Sequence, residues 1–254
     1  MEQAYIAVFD SGVGGVSVLR HLRRMLPQEH FLYYGDDANA PYGLHTTQEV
    51  RELTMAAVNK LMTNFSVKAL VVACNTATSA AINQLREAYP EKIVVGIEPA
   101  LKPAADRFPG GHIGIMATQV TLREKKLSDL LARYGENCTI SRIPAPGLVE
   151  LVEQGLGNTP QAESLLRPIL ESYRGKLDAL VLGCTHYPLA EAAISNILGE
   201  RTLLLDGGEG TARQTRRRLA EAGLLNGGEE MGTVRMEHSG SNPHFAELVR
   251  TLME

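Results

Sequence analysis

Three cysteines in 254 residues are too few, and odd in number, to form a disulfide framework. They stand in no CxxC pair, and neither HExxH nor a clustered-ligand spacing occurs, so no metal site is expected. Cys184 and His186 are two apart and Cys74 would have to join them, which is a poor ligand set. No apolar run is long enough to span a bilayer. The chain enters a strand-like apolar run within a few residues, with no basic leader and no cleavage site, so a cytoplasmic protein with reduced thiols and no membrane partner is expected. Positive charge is also short: 25 Lys and Arg face 29 Asp and Glu, for a net charge of −4. The basic residues form no long stripe, which argues against a nucleic-acid partner. Arg216, Arg217 and Arg218, the single basic cluster, read as the solvated face of a helix.

What remains is ordinary for a globular chain, at 44% hydrophobic and 21% charged residues, with length for one large domain or two modest ones. Apolar runs recur at 5–10 (YIAVFD), 31–36 (FLYYGD), 69–74 (ALVVAC), 93–98 (IVVGIE), 113–118 (IGIMAT), 179–184 (ALVLGC) and 202–207 (TLLLDG). They are continuous rather than alternating, as in parallel strands covered on both faces. Helix-period segments lie between them; Val50, Leu53, Ala57, Val58, Leu61, Met62 and Phe65 mark one such face. This alternation predicts an α/β fold with parallel sheets.

The order of elements also repeats. A polar loop after a strand (FDSGVGG) precedes strand, thiol and helix in the first half, and IMATQVTL does so in the second. The prediction is two pseudo-symmetric parallel-sheet α/β half-domains with the active site between them. One takes residues 1–98 plus 207–254 and the other 99–206. The C-terminal segment packs back on the first, through TVRMEHS at 233–239 and a helix opened by Ser241, Asn242 and Pro243.

In a parallel sheet the carboxyl ends of the strands, with the helix N-termini beyond them, form the ligand crevice. Unpaired amides there carry partial positive charge, receive anions and favour a thiolate. Cys74 stands at such an end and is followed by Asn75, Thr76, Ala77 and Thr78; Cys184 is followed by Thr185 and His186. A single thiol at a strand end reads equally well as a buried structural residue. Two in equivalent places, each with polar followers, favour chemistry. Cys138 lacks such followers and reads as a small core residue.

FDSGVGG follows a strand and opens a helix, which invites a dinucleotide reading. That fingerprint needs glycines at 12, 14 and 17, but position 17 is Ser; Asp36 would be the ribose-binding acid. The rival reading has Ser11 and the amides of Gly12 to Gly15 gripping a small carboxylate while Asp10 reaches the reacting centre. Pro41, Tyr42 and Gly43 form a turn whose amides face either ligand or solvent. Glu150 and Glu153, three apart, share a helix face, and spacing does not choose which of them points inward.

Taken in order, FDSGVGG, YYGDDANAPYG, ACNTAT, GIEPALKPA, ATQVT, VEQG and GCTHYPL resemble the motifs of the glutamate racemases in the aspartate/glutamate racemase superfamily. The resemblance spans most of the chain. DGGEGTARQT departs from it by placing Gly207 where Ser is common, which leaves the role of the Asp206-Gly207-Gly208 loop open. What the resemblance implies is cofactor-independent interconversion of L- and D-glutamate, supplying D-glutamate for peptidoglycan. Cys74 would be the base toward D-glutamate and Cys184 toward L-glutamate. Asp10 would assist Cys74, His186 would assist Cys184, and Glu153 is the further acid near the second thiol. Ser11, Pro41, Tyr42, Gly43, Asn75, Thr76, Thr118, Thr121 and Thr185 would hold the substrate. A homodimer or a monomer–dimer equilibrium is expected. The alternatives are an aspartate racemase, a thiol-dependent isomerase or decarboxylase, or a dinucleotide-binding α/β protein.

Overall fold

The computed structural model of the chain describes residues 4–123, 125–134, 137–240 and 243–253. Its strands in chain order are β1 (Tyr5–Asp10), β2 (Phe31–Gly35), β3 (Val67–Val72), β4 (Ile93–Gly96), β5 (His112–Ala117), β6 (Thr139–Pro144), β7 (Ala179–Leu182), β8 (Leu203–Asp206) and β9 (Val234–His238). The helices are α1 (Val16–Met25), α2 (Thr47–Asn64), α3 (Asn75–Ala88), α4 (Leu101–Arg107), α5 (Gln119–Arg123), α6 (Lys125–Tyr134), α7 (Leu148–Glu153), α8 (Pro160–Leu170), α9 (Glu191–Leu198), α10 (Gly208–Glu221) and α11 (Phe245–Met253). Two compact units result: residues 1–98 with 208–254, and residues 99–207.

The first unit carries a parallel sheet in the order β4-β3-β1-β2-β9. Its central strands are buried along almost their whole length, which is why they read as unbroken apolar runs. Each fully buried Val, Leu or Phe in them contributes about 1.5–3 kcal/mol of transfer free energy. Helix α2 begins at a capping box: Thr46 accepts from the Glu49 amide at 3.3 Å, and Glu49 accepts from the Thr46 amide at 2.7 Å. Of its predicted apolar face, Val50, Ala57, Val58 and Leu61 are buried, and Leu53, Met62 and Phe65 pack at the edge of the same cluster.

The second unit has a parallel sheet in the order β6-β5-β7-β8. Read as β8-β7-β5-β6, it repeats the β4-β3-β1-β2 order of the first unit strand for strand. One hydrogen bond recurs with it. The Ala73 amide donates to Phe9 O at 2.8 Å, and the Gly183 amide donates to Met116 O at 2.7 Å. Cys74 and Cys184 each follow that amide by one residue, so the repeated thiols occupy the same place in two copies of one topology.

Two features differ from the sequence reading. Strand β6 carried no apolar run in the sequence, because it is an edge strand whose residues are mostly exposed or half-buried. Cys138, just before it, packs half-buried against the core of the second unit, with its thiol 3.6 Å from Phe108 O. The second thiol does not lead straight into an α-helix: a 3-10 turn over Tyr187–Ala190, with Pro188 in its first positions, comes between Cys184 and α9. The C-terminal segment does add to the first sheet, with β9 parallel to β2 and His238 opposite Gly35. The proposed helix start at Ser241 and Asn242 lies outside the described residues, and α11 itself runs from Phe245. Arg217 and Arg218 reach Glu221 along an exposed face of α10, in keeping with a solvated cluster.

Candidate active site

In the first unit β1 and β3 are neighbours, so their carboxyl ends bring Asp10, Ser11 and Cys74 together. The Cys74 thiol is 3.6 Å from Ser11 Oγ, and its sulfur accepts the Ala77 amide at 3.4 Å. Cys74 is thus the N-cap of α3, where Asn75 and Thr76 form the buried first turn. An amide donor and the positive end of the helix both stabilise negative charge on the sulfur. Asp10 is fully buried, and Oδ2 accepts the Gly12 amide at 3.1 Å. Tyr33 fixes the other side of this loop by donating its hydroxyl to Gly12 O at 2.6 Å. Ser17, where the dinucleotide fingerprint needs glycine, is buried and donates its hydroxyl to Gly14 O at 2.9 Å.

The Pro41-Tyr42-Gly43 turn follows β2 in the same unit. Tyr42 is buried and donates its hydroxyl to Asp36 Oδ2 at 2.5 Å. Burial, this bond and the Asp36 and Cys74 charges push the phenol well above its ordinary range, so Tyr42 stays a neutral donor. Asn39 Nδ2 supplies Asp36 with two further hydrogen bonds, at 3.0 and 3.1 Å. The ribose-binding role considered for Asp36 is therefore replaced: its carboxylate is buried and committed to its own loop.

In the second unit Cys184, Thr185 and His186 follow β7 and are all buried. His186 Nδ1 lies 3.7 Å from Cys184 Sγ, and Nε2 lies 2.5 Å from Glu153 Oε1 at the end of α7. Burial opposes charge on this imidazole, but the hydrogen bonds to Cys184 and Glu153 outweigh it and hold the ring well above its ordinary value of 6.5. Of the two glutamates on that helix face, Glu153 reaches His186. Glu150 acts on Tyr187, whose hydroxyl is raised by burial and by the charges of Cys184 and Glu150. Thr118 and Thr121 meet at the carboxyl end of β5. The Thr118 hydroxyl bonds Thr121 Oγ1 at 3.1 Å and accepts the Thr121 amide at 3.3 Å. Tyr33 and Tyr187, which carried no sequence signal of a role beyond core packing, buttress one loop in each unit; Tyr187 donates to Ala145 O at 3.3 Å.

The repeat makes the two thiols equivalent in place but not in partners. Ala117 stands at the position of Asp10, and Thr76 stands at the position of His186, when the shared hydrogen bond aligns the units. In the second unit the thiol has an imidazole 3.7 Å away; in the first it has the Ser11 hydroxyl at 3.6 Å, with Asp10 at the end of the adjacent strand. Among the described residues, no three or more His, Cys, Asp or Glu side chains gather as a metal-binding group.

The model of the Asp/Glu/Hydantoin racemase family matches residues 6–215. A glutamate racemase of Clostridium acetobutylicum is 45% identical over 250 residues, covering 98% of this chain and 97% of the relative. The structure of glutamate racemase from Thermus thermophilus in complex with β-chloro-D-alanine matches with a TM-score of 0.81 at 40% identity, over 99% of this chain and 94% of that one. That of glutamate racemase from Francisella tularensis in complex with D-glutamate matches with a TM-score of 0.83 at 25% identity, over 100% and 94% of the two chains. The chain belongs to the Asp/Glu/Hydantoin racemase family. It is an amino-acid racemase, an isomerase; relatives 44% and 45% identical over 98% of the chain, and a structural neighbour 40% identical, are glutamate racemases.

Proposed function

We propose that the chain interconverts L- and D-glutamate by a two-base transfer of the Cα proton, without a cofactor. The observation that carries this reading is the duplicated thiol: Cys74 and Cys184 each stand one residue past the same inter-strand hydrogen bond, with Asp10 ending the strand beside that of Cys74 and His186 Nδ1 3.7 Å from the Cys184 sulfur. Inversion at Cα needs a proton to leave one face and another to arrive on the opposite face. In the proposed cycle one sulfur, as thiolate, takes the Cα proton, and the electron pair remains on the substrate carbon. The other, as thiol, gives its proton to the far face of that carbon, so the two exchange roles at each turnover. Cys74 is proposed to act on D-glutamate and Cys184 on L-glutamate.

The difficult step is removing a weakly acidic proton beside a carboxylate, so the developing charge must meet donors already in place. Ser11, Asn75, Thr76 and the Pro41-Tyr42-Gly43 turn are proposed to supply them in the first unit, with Thr118, Thr121 and Thr185 in the second. Asp10 is proposed to assist Cys74. His186, held by Glu153, is proposed to assist Cys184, an imidazolium beside a sulfur favouring its thiolate form. The relative from Francisella tularensis was solved with D-glutamate, which supports the substrate class. A supply of D-glutamate for peptidoglycan in the cytoplasm follows from the same reading.

The test is incubation with each glutamate enantiomer in heavy water, with no cofactor added, following optical rotation and Cα label together. Both should change with either enantiomer, and aspartate should do neither. Rotation without label, or faster exchange with aspartate, overturns the reading.

A further inference from the structure

Asp36 and Asp37 follow β2 side by side and moor the same loop in opposite directions. Asp36 turns inward, to Tyr42 and Asn39. Asp37 turns to the end of β9, two hundred residues on. Its Oδ1 accepts the Gly240 amide at 2.7 Å and the Ser239 hydroxyl at 3.4 Å, and His238 Nδ1 lies 3.2 Å away. Ser239 closes the arrangement from the other side, its Oγ accepting the Ala38 amide at 3.1 Å. The clasp is itself held in place. Ser239 donates its amide to Gly35 O at 3.1 Å, and the His238 ring stacks on Phe245 with centroids 4.7 Å apart and planes 10° from parallel. Gly240 lets the carboxylate come close: a Cβ there would stand 2.5 Å from Asp37 Oδ2.

We infer that Asp37, gripped by His238, Ser239 and Gly240, is a positioning residue that presets the loop bearing Pro41, Tyr42 and Gly43 for substrate. The inference rests on the proposed reading that this turn contacts glutamate. The loop's own backbone bonds are those of two short 3-10 turns, over Asp37–Asn39 and Tyr42–Leu44, whose hydrogen-bond geometry is poor. Without the clasp, the loop keeps the Asp36 bonds and the His45 Nε2 contact to Asn39 O at 3.0 Å as side-chain moorings, and its first turn must be ordered when substrate binds. That ordering is a cost on binding, not on proton transfer, so it shows in KM before kcat. The C-terminal strand thus serves the site without touching the substrate.

The experiment compares wild type with Asp37→Ala, His238→Ala and His238→Asn. Losing charge-assisted hydrogen bonds should raise KM for glutamate about tenfold in the two alanine variants, with kcat within about twofold. His238→Asn, whose amide nitrogen stands near the place of Nδ1, should restore most of the affinity. Backbone hydrogen exchange, measured without substrate, should accelerate over residues 36–44 and remain slow in β3. Unchanged KM with unchanged exchange overturns the inference, as does a fall in kcat alone. Exchange accelerating throughout the unit overturns it in favour of a merely structural role. If wild type fails to racemise glutamate the proposed function falls, and the exchange measurement still decides whether the clasp holds the loop.

Discussion

His186 Nε2 sits 2.5 Å from Glu153 Oε1, and the same ring presents Nδ1 to the Cys184 sulfur at 3.7 Å. A carboxylate behind an imidazole fixes its orientation and favours its charged form. Because the folded ring is raised above the ordinary 6.5, the folded state binds this proton more tightly than the unfolded state does. Its contribution to stability is complete below about pH 6.5 and is lost as pH climbs through the raised value. Glu153→Gln removes a cause of the elevation, so the His186 titration, followed by NMR, should move to lower pH. The high-pH end of the window in which stability declines should move down with it. An unmoved titration would show that Glu153 does not tune the ring.

Cys74→Ser and Cys184→Ser test the two thiols separately. Serine keeps the shape of the side chain but is a far weaker acid, and a positioned general acid/base is worth about 10²–10⁴-fold in rate. Either substitution should lower racemisation by about that range, read by circular dichroism from each enantiomer, while far-ultraviolet spectra stay native. The direction in which each variant retains residual exchange assigns the thiol to its enantiomer.

Tyr42→Phe probes the loop from inside. The hydroxyl gives Asp36 a 2.5 Å hydrogen bond at a site where both residues are buried, so its removal leaves a carboxylate short of one donor. A loss of about 1–3 kcal/mol in urea unfolding is expected, with an unchanged m-value. A neutral effect would mean that water replaces the hydroxyl.

The parts of this fold that the sequence displays are those buried on both faces. β1, β3, β5 and β7 are continuous apolar runs because helices cover both sides of a parallel sheet, and their ends locate Asp10, Cys74, Thr118 and Cys184 directly. β6 escaped because an edge strand alternates weakly and exposes Thr139, Arg142 and Pro144. Helix spacing alone does not separate Glu150 from Glu153, since it puts both on one face and leaves tertiary packing to decide which meets His186; the family resemblance is what singles out Glu153. Asp36 misled for a related reason. A buried acid after the second strand fits a ribose ligand as well as it fits Tyr42, and that choice is made by a turn six residues on. Asp37 and His238 lie 201 positions apart, a pairing that local pattern does not reveal.

Gly15→Ala tests how tightly the first loop is packed around Asp10. Gly15 has an ordinary helical conformation, φ −60° and ψ −11°, so backbone strain is not the reason for glycine here. The reason is space: a Cβ would stand 2.6 Å from Asp10 Cβ and 3.1 Å from the Tyr33 ring and hydroxyl. Asp10 is fully buried and Tyr33 is tied to Gly12 O, so neither yields without moving the loop that carries Ser11. Overpacking of this kind costs about 1–3 kcal/mol. Thermal unfolding should report that loss, and kcat/KM should fall further than stability alone explains, because the displaced carboxyl is the group proposed to assist Cys74. If Gly15→Ala loses stability but keeps full kcat/KM, the placement of Asp10 does not limit proton transfer by Cys74.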